Sequence, residues 1–217
     1  MRKIDKTKIL SIEYKNWLDK LNRDKMKHPP SSIYYDDVVM NLLHCQKGVC
    51  AYTEMALCDL ELLSEDKWEN GRYKLKKSEK PQCLGDIEHF DPKLKEDKFG
   101  EWENLFVVLE KINRRKGTKE VDDILKPDSP GYDPMVLLEY DESCHVFYPH
   151  PDIEDEILIE RIERMIEVLQ LNFDFVRQER RKFLKKAFEL SEIDRPIEID
   201  RFFTAYQMAE ASKKERR

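Results

Sequence analysis

Leu105-Phe106-Val107-Val108-Leu109 is the feature that most constrains this chain of 217 residues. Five consecutive apolar residues, two of them β-branched, read as a buried strand, and the charged run Glu110 to Lys116 follows at once as a short helix that Gly117 ends. Upstream, Cys83 to Phe90 reads as a second strand, joined to the first through a loop containing Gly100. The order is therefore strand, loop, strand, helix. The same stretch gathers the polar residues with most chemical potential: Asp86, Glu88 and His89 at the end of the first strand, Asn104 before the second, and Asn113 with a basic cluster on and beyond the helix.

The flanks are mostly helical. Ile9, Ile12, Trp17, Leu18 and Leu21 recur at helical intervals from Lys8 to about Met26, and His28-Pro29-Pro30 ends that helix. A second helix runs from Tyr34 to about Gln46, with Gly48 as its stop. Asn70-Gly71 reads as a hairpin turn between Trp68 and Tyr73–Leu75. Beyond the central stretch come a helical segment from Glu120 to Leu125, a loop with Pro127, Pro130, Gly131 and Pro134, and a hairpin pairing Met135–Tyr140 with Cys144–Tyr148. Three helices follow, over Ile153 to Leu171, Phe173 to Leu190 and Ile197 to about Ala211, and Lys213 to Arg217 is expected to fray. This predicts an α+β, predominantly helical fold in one domain: N-terminal helices over 1–49, a core with hairpin over 50–150, and a helical tail over 151–217.

Composition narrows the function classes. Apolar residues make up 40% and charged residues 39%, with a formal net charge of −6. A surface of that sign does not adhere to nucleic acid as a whole, so any such contact needs a local patch. No apolar run approaches a membrane span and the N-terminus lacks the apolar segment of a signal peptide, so no membrane association and a cytoplasmic location are expected. The five cysteines, Cys45, Cys50, Cys58, Cys83 and Cys144, form no Cys-x-x-Cys pair and are expected to be reduced.

A histidine with a pKa near neutrality can take a proton from water, a step that contributes about 10² to 10⁴ in rate. His89 stands beside Glu88 and near Asp86, and these carboxylates, with the side-chain carbonyl of Asn113, are the hard oxygen donors that Mg²⁺ or Mn²⁺ accepts. In a regular strand Asp86 and Glu88 share a face and His89 points to the other. For Glu88 and His89 to serve the same phosphate the strand must bend or end there, which the following Phe90-Asp91-Pro92 fits.

These residues resemble the HNH, or ββα-metal, endonuclease superfamily. The likeness lies in Glu88-His89-Phe90-x-Pro92-Lys93, Trp102-x-Asn104-Leu105 and Asn113-x-x-Lys116-Gly117, in that order. It implies a ββα-metal core with His89 as general base, Asn104 orienting the histidine-bearing loop, and Asn113 as a metal ligand beside Glu88, with Asp86 as an extra ligand. Cys50-Ala51-Tyr52-Thr53-Glu54, Asp133-Pro134 and Leu169-Gln170-Leu171-Asn172 also look like a subfamily found in retron and Septu-type anti-phage defence. That resemblance implies a DNA-cleaving effector paired with an ATPase of the ABC or SMC-like kind. RNA as substrate, or a noncatalytic binding subunit on a degenerate scaffold, are the alternatives.

The departures are specific. The subfamily commonly holds a structural zinc with two Cys-x-x-Cys pairs; here Thr53 stands in the first pair, and Leu109 and Ile112 fall where the second would be. No structural zinc is expected, and Leu109 with Ile112 is expected to form a small apolar core instead. The stretch from 59 to 81 reads as an insertion. Lys93, Arg114, Arg115, Lys116 and Lys119, with Lys111, form the local basic patch expected to position a nucleic-acid backbone, against the alternative of a solvated helix face.

Overall fold

A computed structural model of the chain describes residues 1–74, 84–193, 195 and 198–215. The sequence expectations for Leu75, for 75–81 of the insertion, for Cys83, for the helix start at Ile197 and for Arg216 and Arg217 lie outside the described residues. The chain divides into two compact units, one made of 4–50 with 56–121 and the other of 1–3, 51–55 and 122–217. Along the sequence each unit is assembled from more than one segment. The N-terminal helices go with the central stretch, whereas the later hairpin goes with the helical tail.

In the first unit, α1 (Ile12–Arg23) begins four residues later than its periodicity predicts. Ser11 sets the start, accepting the Tyr14 N–H on its hydroxyl while donating that hydroxyl to the Asp37 carboxylate at 3.0 Å. Tyr14, Leu18 and Leu21 form the buried face, and Ile12 is left exposed. Helix α2 (Tyr35–Gln46) buries Val38, Val39, Leu42 and Leu43 and stops where Lys47 and Gly48 turn left-handed. A Cβ on Gly48 would meet the Cys58 carbonyl at 2.6 Å, so glycine is required there for space as well as for its φ of 73°. Strands β1 (Trp68–Glu69) and β2 (Arg72–Tyr73) pair across Asn70-Gly71, both at positive φ, as the sequence predicts.

Strands β3 (Gly85–His89) and β4 (Leu105–Leu109) pair antiparallel, from Gly85 opposite Leu109 to His89 opposite Leu105. Helix α3 (Glu110–Lys116) continues directly from β4, and Gly117 ends it at φ 54°. The predicted strand, loop, strand, helix order is therefore present, with Phe106, Val107, Val108 and Ile112 fully buried. A two-stranded sheet leaves backbone groups unpaired at its edge. The buried Gln46 from α2 closes part of it: its Oε1 accepts the Val107 N–H at 2.9 Å and its Nε2 donates to the Val107 carbonyl at 2.8 Å.

In the second unit the predicted helix over Glu120–Leu125 is replaced by one 3₁₀ turn, Asp123–Leu125, capped by Asp122. The predicted strand Met135–Tyr140 is also corrected. Asp133 caps a short helix α4 (Pro134–Leu137), and only then does β5 (Leu138–Asp141) pair with β6 (Val146–Pro149). Helices α5 (Glu156–Val168), α6 (Asp174–Glu192) and α7 (Phe203–Glu215) follow, the last starting after Phe202 at positive φ. Arg180 is fully buried among Phe147, Tyr140 and Phe202 and donates to the carbonyls of His145 and Leu171; burial pushes its pKa down to about 10. Glu54, buried and at positive φ, accepts the Thr204 N–H at 3.0 Å and pairs with the Met1 ammonium at 3.3 Å. Burial raises the Glu54 pKa, but the ammonium and the Thr204 hydrogen bonds outweigh it and hold that carboxyl below its ordinary value.

Among the described residues no helix is long and apolar enough to cross a membrane. Cys45, Cys50 and Cys144 are free thiols, the first two buried and Cys144 exposed.

Candidate active site

The site is built where β3 runs out. Asp91 accepts the Lys93 N–H and Pro92 opens a 3₁₀ turn (Pro92–Leu94), so the backbone leaves the sheet immediately after His89. Asn104 holds that departure in place. Its main-chain carbonyl accepts the Phe90 N–H at 2.8 Å, its Oδ1 accepts the Asp91 N–H at 2.8 Å and its Nδ2 donates to the Asp91 carbonyl at 2.9 Å. A buried amide satisfied on both atoms by one backbone residue is a rigid brace, because leaving either atom unpaired costs about 1–3 kcal/mol.

His89 is 8% exposed, and its ring packs on Phe99 with centroids 5.0 Å apart. Nε2 lies 2.7 Å from the Phe99 carbonyl oxygen. A carbonyl only accepts, so Nε2 carries the proton and Nδ1 carries the lone pair. Burial lowers the His89 pKa most strongly; the Phe99 hydrogen bond opposes this, and the positive charges of Lys95 and Lys116 reinforce it. The imidazole is consequently neutral at neutral pH, with a fixed tautomer.

Glu88, on the opposite face of β3, is also buried, and its partner is Lys116. The last residue of α3 aims back at the end of β3, and its ammonium donates to Glu88 Oε1 at 2.5 Å and to the His89 carbonyl at 3.1 Å. This corrects the sequence expectation for Lys116. At 1% exposure it is part of the core and not of a nucleic-acid patch, because the desolvated Glu88 carboxylate needs a counter-charge that the helix end supplies. Asp86, opposite Val108 in the ladder, and Asn113, one helical turn before Lys116, are half-buried.

The donors suit a hard divalent ion better than zinc. Glu88 and Asn113 offer one carboxylate and one amide oxygen, and Mg²⁺ or Mn²⁺ typically retains several waters around so few protein ligands. Among the described residues no group of three or more His, Cys, Asp and Glu side chains is placed to hold a metal. The Glu88 carboxylate is already paired with the buried Lys116 ammonium, so a divalent ion there would have to share or displace Lys116.

Of the other predicted residues, Lys93, Arg114, Arg115 and Lys119 are exposed. Lys93 pairs with Glu120 at 2.9 Å, and Arg114 pairs with Glu110 one turn earlier on α3. Ile112 is fully buried and Leu109 half-buried, and the Leu109 N–H donates to the buried Cys50 thiol sulfur at 3.4 Å.

Three residues near His89 escaped the sequence reading. Phe99 supplies the carbonyl that fixes the tautomer, Lys95 supplies a nearby positive charge, and His28 holds the loop on which Phe99 sits. Only the glycine at 100 hints at a close approach in that loop, and nothing in the sequence names its partner. Comparison with protein-family models, with curated proteins and with solved structures returns no match.

Proposed function

We propose that this chain is a metal-dependent endonuclease of the HNH type that hydrolyses phosphodiester bonds in DNA, with His89 as the general base. The observation that carries the proposal is the fixed tautomer of His89: Nε2–H is committed to the Phe99 carbonyl, and Nδ1 is left as a basic nitrogen at the end of β3. A lone histidine would not support this reading. His89 comes with Asn104 bracing the backbone immediately after it, and with Glu88 and Asn113 on the strand and helix of one ββα unit.

In this reading His89 Nδ1 takes a proton from the attacking water as its oxygen bonds to phosphorus, and the P–O bond to the departing sugar oxygen breaks, that oxygen taking a proton from solvent. The imidazolium that forms is stabilised by the Phe99 carbonyl on Nε2–H. Asn104 keeps the histidine-bearing turn from relaxing as that charge develops. Glu88 and Asn113 would hold Mg²⁺ or Mn²⁺, which supplies polarisation of a phosphate oxygen and stabilisation of the departing oxygen. Arg114, Arg115 and Lys119 would position the DNA backbone through charge, without reading sequence. A formal charge of −6 suits a nuclease brought to DNA by another subunit, and the ATPase partner implied by the resemblance belongs to this proposal.

The test is to incubate the purified chain, alone and with a candidate ATPase partner, with plasmid DNA, single-stranded DNA and RNA in Mg²⁺, Mn²⁺ or EDTA. Cleavage of DNA that EDTA abolishes is expected. Cleavage confined to RNA would move the substrate class, and cleavage unaffected by EDTA would remove the metal from the mechanism.

A further inference from the structure

The carbonyl that fixes His89 belongs to the Phe99–Gly100 peptide, and the N–H of that same peptide is held by a second histidine. Gly100 N–H donates to His28 Nδ1 at 3.0 Å, while the Phe99 carbonyl accepts from His89 Nε2–H at 2.7 Å. One planar peptide therefore bridges two imidazoles, Nδ1 of His28 at one end and Nε2 of His89 at the other. The rest of the loop is tied down around it. The His28 N–H donates to the Asp97 carbonyl at 3.1 Å, and the Tyr14 hydroxyl donates to the Gly100 carbonyl at 2.7 Å. Trp17 packs so close that a Cβ on Gly100 would meet its ring at 3.0 Å.

Resting on the nuclease reading, we propose that His28 is a positioning residue for the catalytic base, acting through the Phe99–Gly100 peptide to hold the His89 tautomer and ring orientation. His28 has the chemistry for it. It is buried on α1's side of the loop, its Nδ1 is an acceptor, and its Nε2 lies 3.4 Å from the Asn22 Oδ1, which can accept only from a protonated Nε2. Accepting the Gly100 N–H also polarises the peptide, because hydrogen bonds in a chain strengthen one another, and a more negative Phe99 oxygen is a stronger partner for His89 Nε2–H. Without the acceptor at residue 28, the peptide is free to rotate and the proton on His89 is free to move to Nδ1, where it blocks the base.

The contrast between two amides tests this. In His28→Asn the side-chain oxygen falls near the position of Nδ1 and can still accept from Gly100; in His28→Gln it falls near Nε2 and cannot. The readout is the ¹⁵N shift pattern of the His89 ring by NMR, with cleavage kinetics in parallel. Wild type and His28→Asn are expected to show the pure Nε2–H tautomer. His28→Gln is expected to show averaged ring-nitrogen shifts and a kcat lower by about tenfold or more, with KM unchanged. A pure Nε2–H tautomer in His28→Gln, or equal losses in both variants, would overturn the proposal. If His28→Gln does not fold, Tyr14→Phe frees the Gly100 carbonyl on the next peptide of the same loop and should shift the tautomer in the same direction; an unchanged tautomer there counts against the clamp. The tautomer readout needs no turnover, so a shift without any cleavage by wild type would leave the clamp standing and remove the nuclease reading.

Discussion

At the scale of single residues, the most informative feature is the buried pair between Glu88 and Lys116, whose side chains are 3% and 0% exposed. Both charges have left water, and such a pair is held less by its net worth than by the cost of breaking it. Lys116→Met is expected to destabilise the protein by about 3–5 kcal/mol, because it strands a buried carboxylate. The double variant Lys116→Met/Glu88→Gln should lose much less than the two single losses added together, since it strands no charge. Urea midpoints for the three variants check this, and simple additivity would contradict the pairing. Lys116 also marks where sequence reading stops. Inside the run Asn113-Arg114-Arg115-Lys116 it looks like one more solvated cation, and only the turn of α3 shows that, unlike the exposed Arg114 and Arg115, it points back at β3.

At the scale of elements, the ββα unit was legible because each boundary has a local cause. The Leu105–Leu109 run has no helical spacing, Pro92 forbids continuation of β3, and Gly117 supplies the positive φ that ends α3. The misread elements had weaker local signals. Asp133-Pro134 is a helix start, yet the apolar residues after it suggested strand, and α4 took the first of them before β5 began. The loop between β3 and β4 was blank in sequence, since its order comes from His28, Tyr14 and Trp17 on distant segments. Helix α3 divides its basic residues between two jobs, Lys116 inward and Arg114 and Arg115 outward. Replacing Arg114 and Arg115 by glutamine is therefore expected to raise KM for DNA and to make the slope of log K against log salt shallower by about one to two, with kcat little changed. An unaltered salt slope, measured by DNA binding across a salt series, would take α3 out of the DNA contact.

At the scale of the whole molecule, the histidines set how stability responds to acid. Burial, with Lys98 nearby, lowers the His28 pKa; burial, with Arg181, Arg180 and Arg177 nearby, lowers that of His145. Each unit thus contains an imidazole that binds its proton less readily when folded. The unfolded chain takes up those protons first, near the ordinary value of 6.5, so stability is full above that pH and falls as pH drops through it. Calorimetry should show a thermal midpoint that declines as pH drops below about 6.5, before the carboxylates titrate. A midpoint constant down to about pH 5 would contradict it. The division into two units was the least legible property of all, because no linker composition marks the crossings at 50–51 or 121–122.

Whether His89, held as a neutral base with its proton on Nε2, performs the chemistry is decided by His89→Ala. The variant keeps the braces on Phe90 and Asp91, since those use Asn104 and the backbone. Its circular dichroism should match wild type, while Mg²⁺-dependent cleavage of DNA should fall by about a hundredfold or more. Cleavage at the wild-type rate by a folded His89→Ala protein would contradict the assignment.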